Sequence, residues 1–157
     1  MSKILLLYAS ATGNTELMAK AMANHLRNNN NHDVVVKMFD YDEIEVKELE
    51  NYDGILFGVY TWVGGDLPFE VEDFYDQLDG VNIKRKPFAV FGSADSFYDE
   101  FGTALDLMYE RFEKLGAVMV PEKLVVDLEP SQEDIKKSEQ LSEKLLRLIS
   151  GSELDVK

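Results

Sequence analysis

The sequence predicts an α/β fold: a three-layer, doubly wound, five-stranded parallel sheet. Two observations carry that expectation. Short apolar runs alternate with amphipathic segments from one end of the 157 residues to the other. Strands that alternate with helices form a parallel sheet with helices on both faces. The length suits one core, so a single domain over residues 1–150 is expected, followed by a flexible tail over 151–157.

The elements follow in order. Lys3–Tyr8 is a short apolar run of the kind that makes a buried strand. Asn14–Asn28 reads as a helix, with Met18, Met22 and Leu26 on one stripe. The asparagine run 28–31, with His32 and Asp33, is a turn, and Val34–Phe39 is the second strand. Asp42–Glu50 reads as a weaker, polar helix, and Gly54–Val59 as the third strand. Val71, Phe74, Tyr75 and Leu78 mark a helix by their spacing. Pro87–Gly92 is the fourth strand. Leu105, Met108, Phe112 and Leu115 form the stripe of the next helix, which Gly116 stops. Val118–Val120 and Leu124–Val126 make a fifth strand, interrupted near Pro121. Ser131 and Asp134 form a capping box for a last helix that ends near Ile149.

Composition narrows the function. The chain has no cysteine, which removes disulfides, thiolate zinc sites, iron–sulfur clusters and thiol nucleophiles. The net charge of −14 repels nucleic acid and anionic lipid at long range and attracts basic protein patches. No run resembles a signal peptide or a membrane span, so the expected location is the cytoplasm.

In an open α/β sheet, ligands bind beyond the carboxyl ends of the strands. Three loops there carry chemistry. The first is Ser10-Ala11-Thr12-Gly13-Asn14-Thr15. Three hydroxyls, an amide and a glycine crowd the start of a helix, where backbone N–H groups point outward with partial positive charge. This makes a phosphate cradle without a cation. One such hydroxyl is an ordinary cap; three around a glycine favour phosphate. Neither GxxxxGK[ST] nor GxGxxG occurs, which excludes the nucleoside triphosphate loop and the dinucleotide fingerprint. The second loop, Tyr60 to Pro68, holds the only tryptophan, Trp62, ahead of Gly64 and Gly65. Its indole offers a flat face to a ring ligand, or folds back on the core. The third loop, Ser93 to Gly102, pairs aromatics with acids, and Tyr98 offers a second flat ring.

These three motifs, in this order, resemble those of the flavodoxin family in its short-chain form, over essentially the whole chain. The resemblance implies a sheet order of 2-1-3-4-5 and a non-covalently bound flavin mononucleotide (FMN). It implies that Ser10, Thr12, Asn14 and Thr15 hold the phosphate, with the N–H groups of Ala11 and Gly13. Tyr60 and Thr61 would lie along the ribityl chain, and Trp62 and Tyr98 would sandwich the isoalloxazine. The N–H groups of Asp95 and Gly102 would reach the pyrimidine carbonyl and the Glu100 carbonyl the ring N3–H, with Ser93 and Ala94 also at the cofactor. The Val63–Gly64 peptide would bond the flavin N5–H on one-electron reduction. Val63 departs from the small or polar residue of many relatives, which bears on the potentials. Asp66, Asp95, Asp99 and Glu100 disfavour an added negative charge on the ring. The implied function is a low-potential electron carrier, shuttling between semiquinone and hydroquinone, and not an enzyme. Its implied partners are basic-surfaced redox proteins, a reductase and an acceptor enzyme, with neither nucleic acid nor membrane. A monomer without metal is expected. The alternative is an FMN-dependent NAD(P)H or quinone reductase on the same fold.

Overall fold

Each apolar run becomes a strand. The computed structural model describes residues 2–10, 13–29, 32–61, 67–94 and 102–151. β1 (Lys3–Tyr8), β2 (Asp33–Met38), β3 (Gly54–Gly58), β4 (Pro87–Ala94) and β5 (Val118–Asp127) pair in parallel, in the order β2-β1-β3-β4-β5. The central strand β1 shows why its sequence is a continuous apolar run. Ile4, Leu5, Leu6 and Leu7 are all fully buried, because both faces of the sheet are covered.

Successive residues of β1 serve different cores. Leu5 and Leu7 face one layer, where α2 (Phe69–Gln77) supplies Val71 and Phe74, and α3 (Thr103–Lys114) supplies Leu105, Met108 and Phe112. Ile4, Leu6 and Tyr8 face the other, where α1 (Asn14–Asn29) supplies Met18, Met22 and Leu26, and α4 (Gln132–Ser150) supplies Leu141 and Leu145. Each such side chain contributes about 1.5–3 kcal/mol by leaving water, so these stripes rather than helix propensity hold the layers together. The Ser131–Asp134 capping box starts α4, with both reciprocal bonds present.

Two elements differ from expectation. Asp42–Glu50 is not an α-helix; Val46–Asn51 forms a 3-10 helix instead. Its only fully buried side chain is Leu49, so no apolar stripe supports longer winding. The fifth strand is not broken at Pro121. It runs on as one strand, but its pairing slips: Phe88 faces Met119 while Val90 faces Lys123. Two extra β5 residues bulge out there, which accommodates a proline that cannot donate a ladder bond. Residues 152–157, expected as the tail, lie outside the described residues.

β1 sits between β2 and β3, so the chain reverses its winding direction at β1 and β3. The crevice beyond their carboxyl ends is the switch point of the sheet.

Candidate functional site

The first of the three loops begins where β1 ends. Ser10 is buried, and its Oγ accepts from the N–H of Gly13 at 3.2 Å and of Glu16 at 3.3 Å. It therefore caps α1 from four residues upstream of Asn14. Both bonds use the oxygen's lone pairs, leaving its O–H free to donate to an anion. Gly13 has φ +91°, the left-handed region that favours glycine, and this bends the backbone into the helix start. Thr15 is fully buried, and its hydroxyl lies 2.9 Å from that of Ser93 at the end of β4. One of their two protons makes this bond, and the other remains to donate.

The second loop is tied to the third. The Thr61 N–H donates to the Ser93 carbonyl at 3.2 Å. The Thr61 hydroxyl accepts from the Ala104 N–H in the first turn of α3 at 3.3 Å. Gly102 occupies the N-cap position of that helix at φ +78° and has no side chain with which to cap it. Thr61 thus supplies a cap from another loop. Ala94 closes the strand and accepts from the Leu128 N–H at 2.8 Å. Thr15, Ser93, Thr61 and Ala104 form one chain of hydrogen bonds across the carboxyl ends of β1, β3 and β4.

Two tyrosines at this edge donate to glutamates. Tyr60 Oη donates to Glu70 Oε2 at 2.9 Å, joining the segment just after β3 to the start of α2. Tyr8 Oη donates to Glu16 at 3.0 Å. Burial, reinforced by the carboxylate partner, pushes Tyr8 up to about 12 and raises Tyr60 further above its ordinary value. Both stay protonated donors at neutral pH. Neither glutamate was expected in the site. Glu70 lies ten positions after Tyr60, and no pattern in the sequence pairs the two.

The described members of the expected site, Ser10, Gly13, Asn14, Thr15, Tyr60, Thr61, Ser93, Ala94 and Gly102, therefore all lie at one end of the sheet. Ala11, Thr12, Trp62, Val63, Gly64, Asp95, Tyr98 and Glu100 lie outside the described residues. Segments 9–17, 59–73 and 93–106 contain no lysine or arginine, so any anion there meets neutral donors and the helix start. Among the described residues no cluster of acids and histidines is arranged to hold a metal. Among them, too, no helix is long and apolar enough to cross a membrane.

Known proteins agree with this geometry. A family profile described as Flavodoxin matches residues 6–141. The chain is 37% identical to the flavodoxin of Maridesulfovibrio salexigens over 140 residues, covering 86% of this chain and 92% of that protein. Oxidised flavodoxin 1 from Bacillus cereus superposes with a TM-score of 0.88 at 40% identity, over 93% of this chain and 98% of that one. A short-chain flavodoxin associated with a bacterial microcompartment superposes with a TM-score of 0.87 at 33% identity, over 95% and 99%. With a matching profile over residues 6–141 and the same sheet order as its relatives' fold, the chain belongs to the flavodoxin family.

Proposed function

We propose that this chain is a low-potential, one-electron carrier that holds FMN non-covalently and passes electrons from a basic-surfaced reductase to acceptor enzymes. Flavodoxins are electron-transfer proteins rather than enzymes, and the family implies the flavin. The observation that carries the reading for this chain is the hydrogen-bonded link from Thr15 through Ser93 to Thr61 and Ala104. It joins the three strand-end loops at the switch point into one site.

The donor set fits a flavin phosphate. Ser10, Asn14 and Thr15 stand at the start of α1, and Ala11, Thr12 and Gly13 share the same loop. Neutral hydroxyls and N–H groups bind a dianion without cancelling its charge. Tyr60 and Thr61 would border the sugar chain, and Trp62, Val63, Gly64 and Tyr98 would wall the ring. Ser93, Ala94, Asp95, Glu100 and Gly102 would line its polar edge. When bound, FMN supplies reversible one-electron chemistry. The chain's own part is to orient the ring, exclude water and keep the surroundings negative. Asp66, Asp95, Asp99 and Glu100 oppose an added negative charge, which keeps the potential low. We take residues 1–150 as one domain, working as a monomer in the cytoplasm.

The visible spectrum tests this directly. Purified protein is expected to be yellow and to bind one FMN, with riboflavin weaker and FAD poor. A colourless preparation that stays colourless on FMN titration overturns the reading. Rapid direct oxidation of NADPH in a stopped-flow mixing experiment would instead make the protein a reductase.

A further inference from the structure

We infer that the cleft between segment 39–46 and α2 docks the basic face of an electron-transfer protein, with one of its lysine or arginine side chains entering the cleft. This rests on the carrier reading above and adds where the partner binds and what holds it.

The first observation is two exposed aromatics. Tyr41 is 83% and Phe69 86% exposed. Leaving such rings in water forgoes burial that stabilises other aromatics of this chain. Tyrosine and phenylalanine are enriched at protein interfaces relative to the rest of the surface. Tyr41 follows β2 and Phe69 opens α2, so both lie at the carboxyl end of the sheet.

The second observation is the cleft that these segments flank. Its volume is about 270 Å³, and Phe39, Asp42, Ile44, Glu70, Asp73 and Phe74 line much of it. That lies below the usual range of roughly 300–1,000 Å³ for small-molecule sites, and suits a single long side chain. Its floor is fixed, because Phe39 packs edge-on against Phe57 and Phe74. Two of its acids are held by the fold. Asp42 accepts from the Met38 N–H at 2.8 Å, and Glu70 from Tyr60. Each keeps lone pairs for a further donor.

The third observation is charge. Segments 38–46 and 59–77 contain no lysine or arginine. The nearby base Lys37 is engaged by Glu48 at 2.8 Å. Among the described residues, Asp40, Asp42, Glu70 and Asp73 form no ion pair with a basic side chain. A cationic side chain therefore finds a small apolar floor at Phe39 and Ile44 for its stem and carboxylates without a basic partner for its head, while Tyr41 and Phe69 stand outside the cleft on the segments that flank it. A second copy would present the same acids in a two-fold contact and be repelled. Nucleic acid and anionic membrane carry the wrong sign. Glu70 joins the cleft to Tyr60, the neighbour of Thr61, so a partner seated here lies beside the hydrogen-bonded strand ends of the proposed site.

Cytochrome c, a lysine-rich haem protein, is a suitable probe with FMN-loaded protein in calorimetric titration. Tyr41→Ser/Phe69→Ser and Asp42→Asn/Asp73→Asn are each expected to raise Kd about tenfold. The control Glu110→Gln/Glu113→Gln, which removes two exposed acids from α3, is expected to change Kd less than about twofold. FMN affinity is expected to be unchanged in all three. Cleft variants that bind as tightly as the control overturn the docking site. So does a concentration-dependent dimer in sedimentation that Phe69→Ser abolishes. If the cleft variants weaken the complex but the reduced wild-type protein passes no electron to the haem, docking stands and the carrier reading falls.

Discussion

Thr15 and Ser93 are 78 positions apart, yet their buried hydroxyls meet at 2.9 Å. Val in place of Thr15 keeps the shape and removes the bond, leaving the Ser93 hydroxyl buried and unpaired. That costs about 1–3 kcal/mol, as does Ser93→Ala, which strands the threonine instead. The double variant leaves neither group unmade, so its cost is expected to fall well short of the sum. Urea unfolding of the three apoproteins measures this, and strictly additive losses mean the two hydroxyls do not pair. Thr15→Val is also expected to weaken FMN more than riboflavin, since only FMN brings the phosphate. The hydroxyl-rich loop was legible in the sequence because its residues are contiguous. Its bond to Ser93 was not, because nothing at position 15 specifies which residue the sheet will place beside it.

Helix α3 depends on a cap that it does not carry. Gly102, at φ +78°, supplies the turn and a carbonyl for the Leu105 and Asp106 N–H groups but no side-chain acceptor, and Thr61 receives the Ala104 N–H. Thr61→Val removes the acceptor at nearly constant volume and is expected to destabilise the protein by about 1 kcal/mol. Thr61→Ser is expected to restore most of that loss. Hydrogen exchange at Ala104 distinguishes a lost cap from a general loosening: it is expected to speed up in the valine variant before the centre of α3 does. Equal protection of Ala104 in both variants shows that water or another group caps the helix. Among elements, the strands were legible because burial on both faces demands unbroken apolar runs, as in Ile4–Leu7. The helices were legible where a stripe existed, as at Met18, Met22 and Leu26. The Asp42–Glu50 expectation failed because polar composition with one buried leucine supports only the short 3-10 turn. Pro121 read as an interruption because a proline cannot join a regular ladder. Whether the strand stops or bulges depends on Met119 and Lys123 finding partners in β4, which is tertiary information.

At the scale of the molecule, charge is sorted along the strand direction. The segments that follow the five strands, 9–17, 39–45, 59–73, 93–106 and 127–134, hold 17 acids and no base. The rest of the chain holds the other 13 acids and all 16 bases, so its balance is slightly positive. The net −14 therefore understates the field at the carboxyl end and misstates its sign elsewhere. The distance between the ends decides which value a partner experiences. β4 has eight residues, and at about 3.3 Å per residue it separates the two ends by roughly 25 Å. The Debye length is about 8 Å at physiological ionic strength and about 30 Å at 0.01 M salt. A basic protein approaching the carboxyl end at physiological salt thus meets mostly acids, since Lys20, Lys123 and Lys137 offset only the three they pair with, while bases at the amino end such as Lys84 are screened from it. Its association rate is expected to fall steeply as salt rises. Two single-charge variants separate the ends. Glu43→Gln, at the carboxyl end, is expected to slow association with cytochrome c at both ionic strengths. Lys84→Gln, exposed just before β4 at the amino end, is expected to leave the rate unchanged at physiological salt and to raise it only at 0.01 M. Stopped-flow association rates at the two salt concentrations check this. If Lys84→Gln raises the physiological rate as much as Glu43→Gln lowers it, net charge steers the encounter and the sorting of charge has no kinetic role.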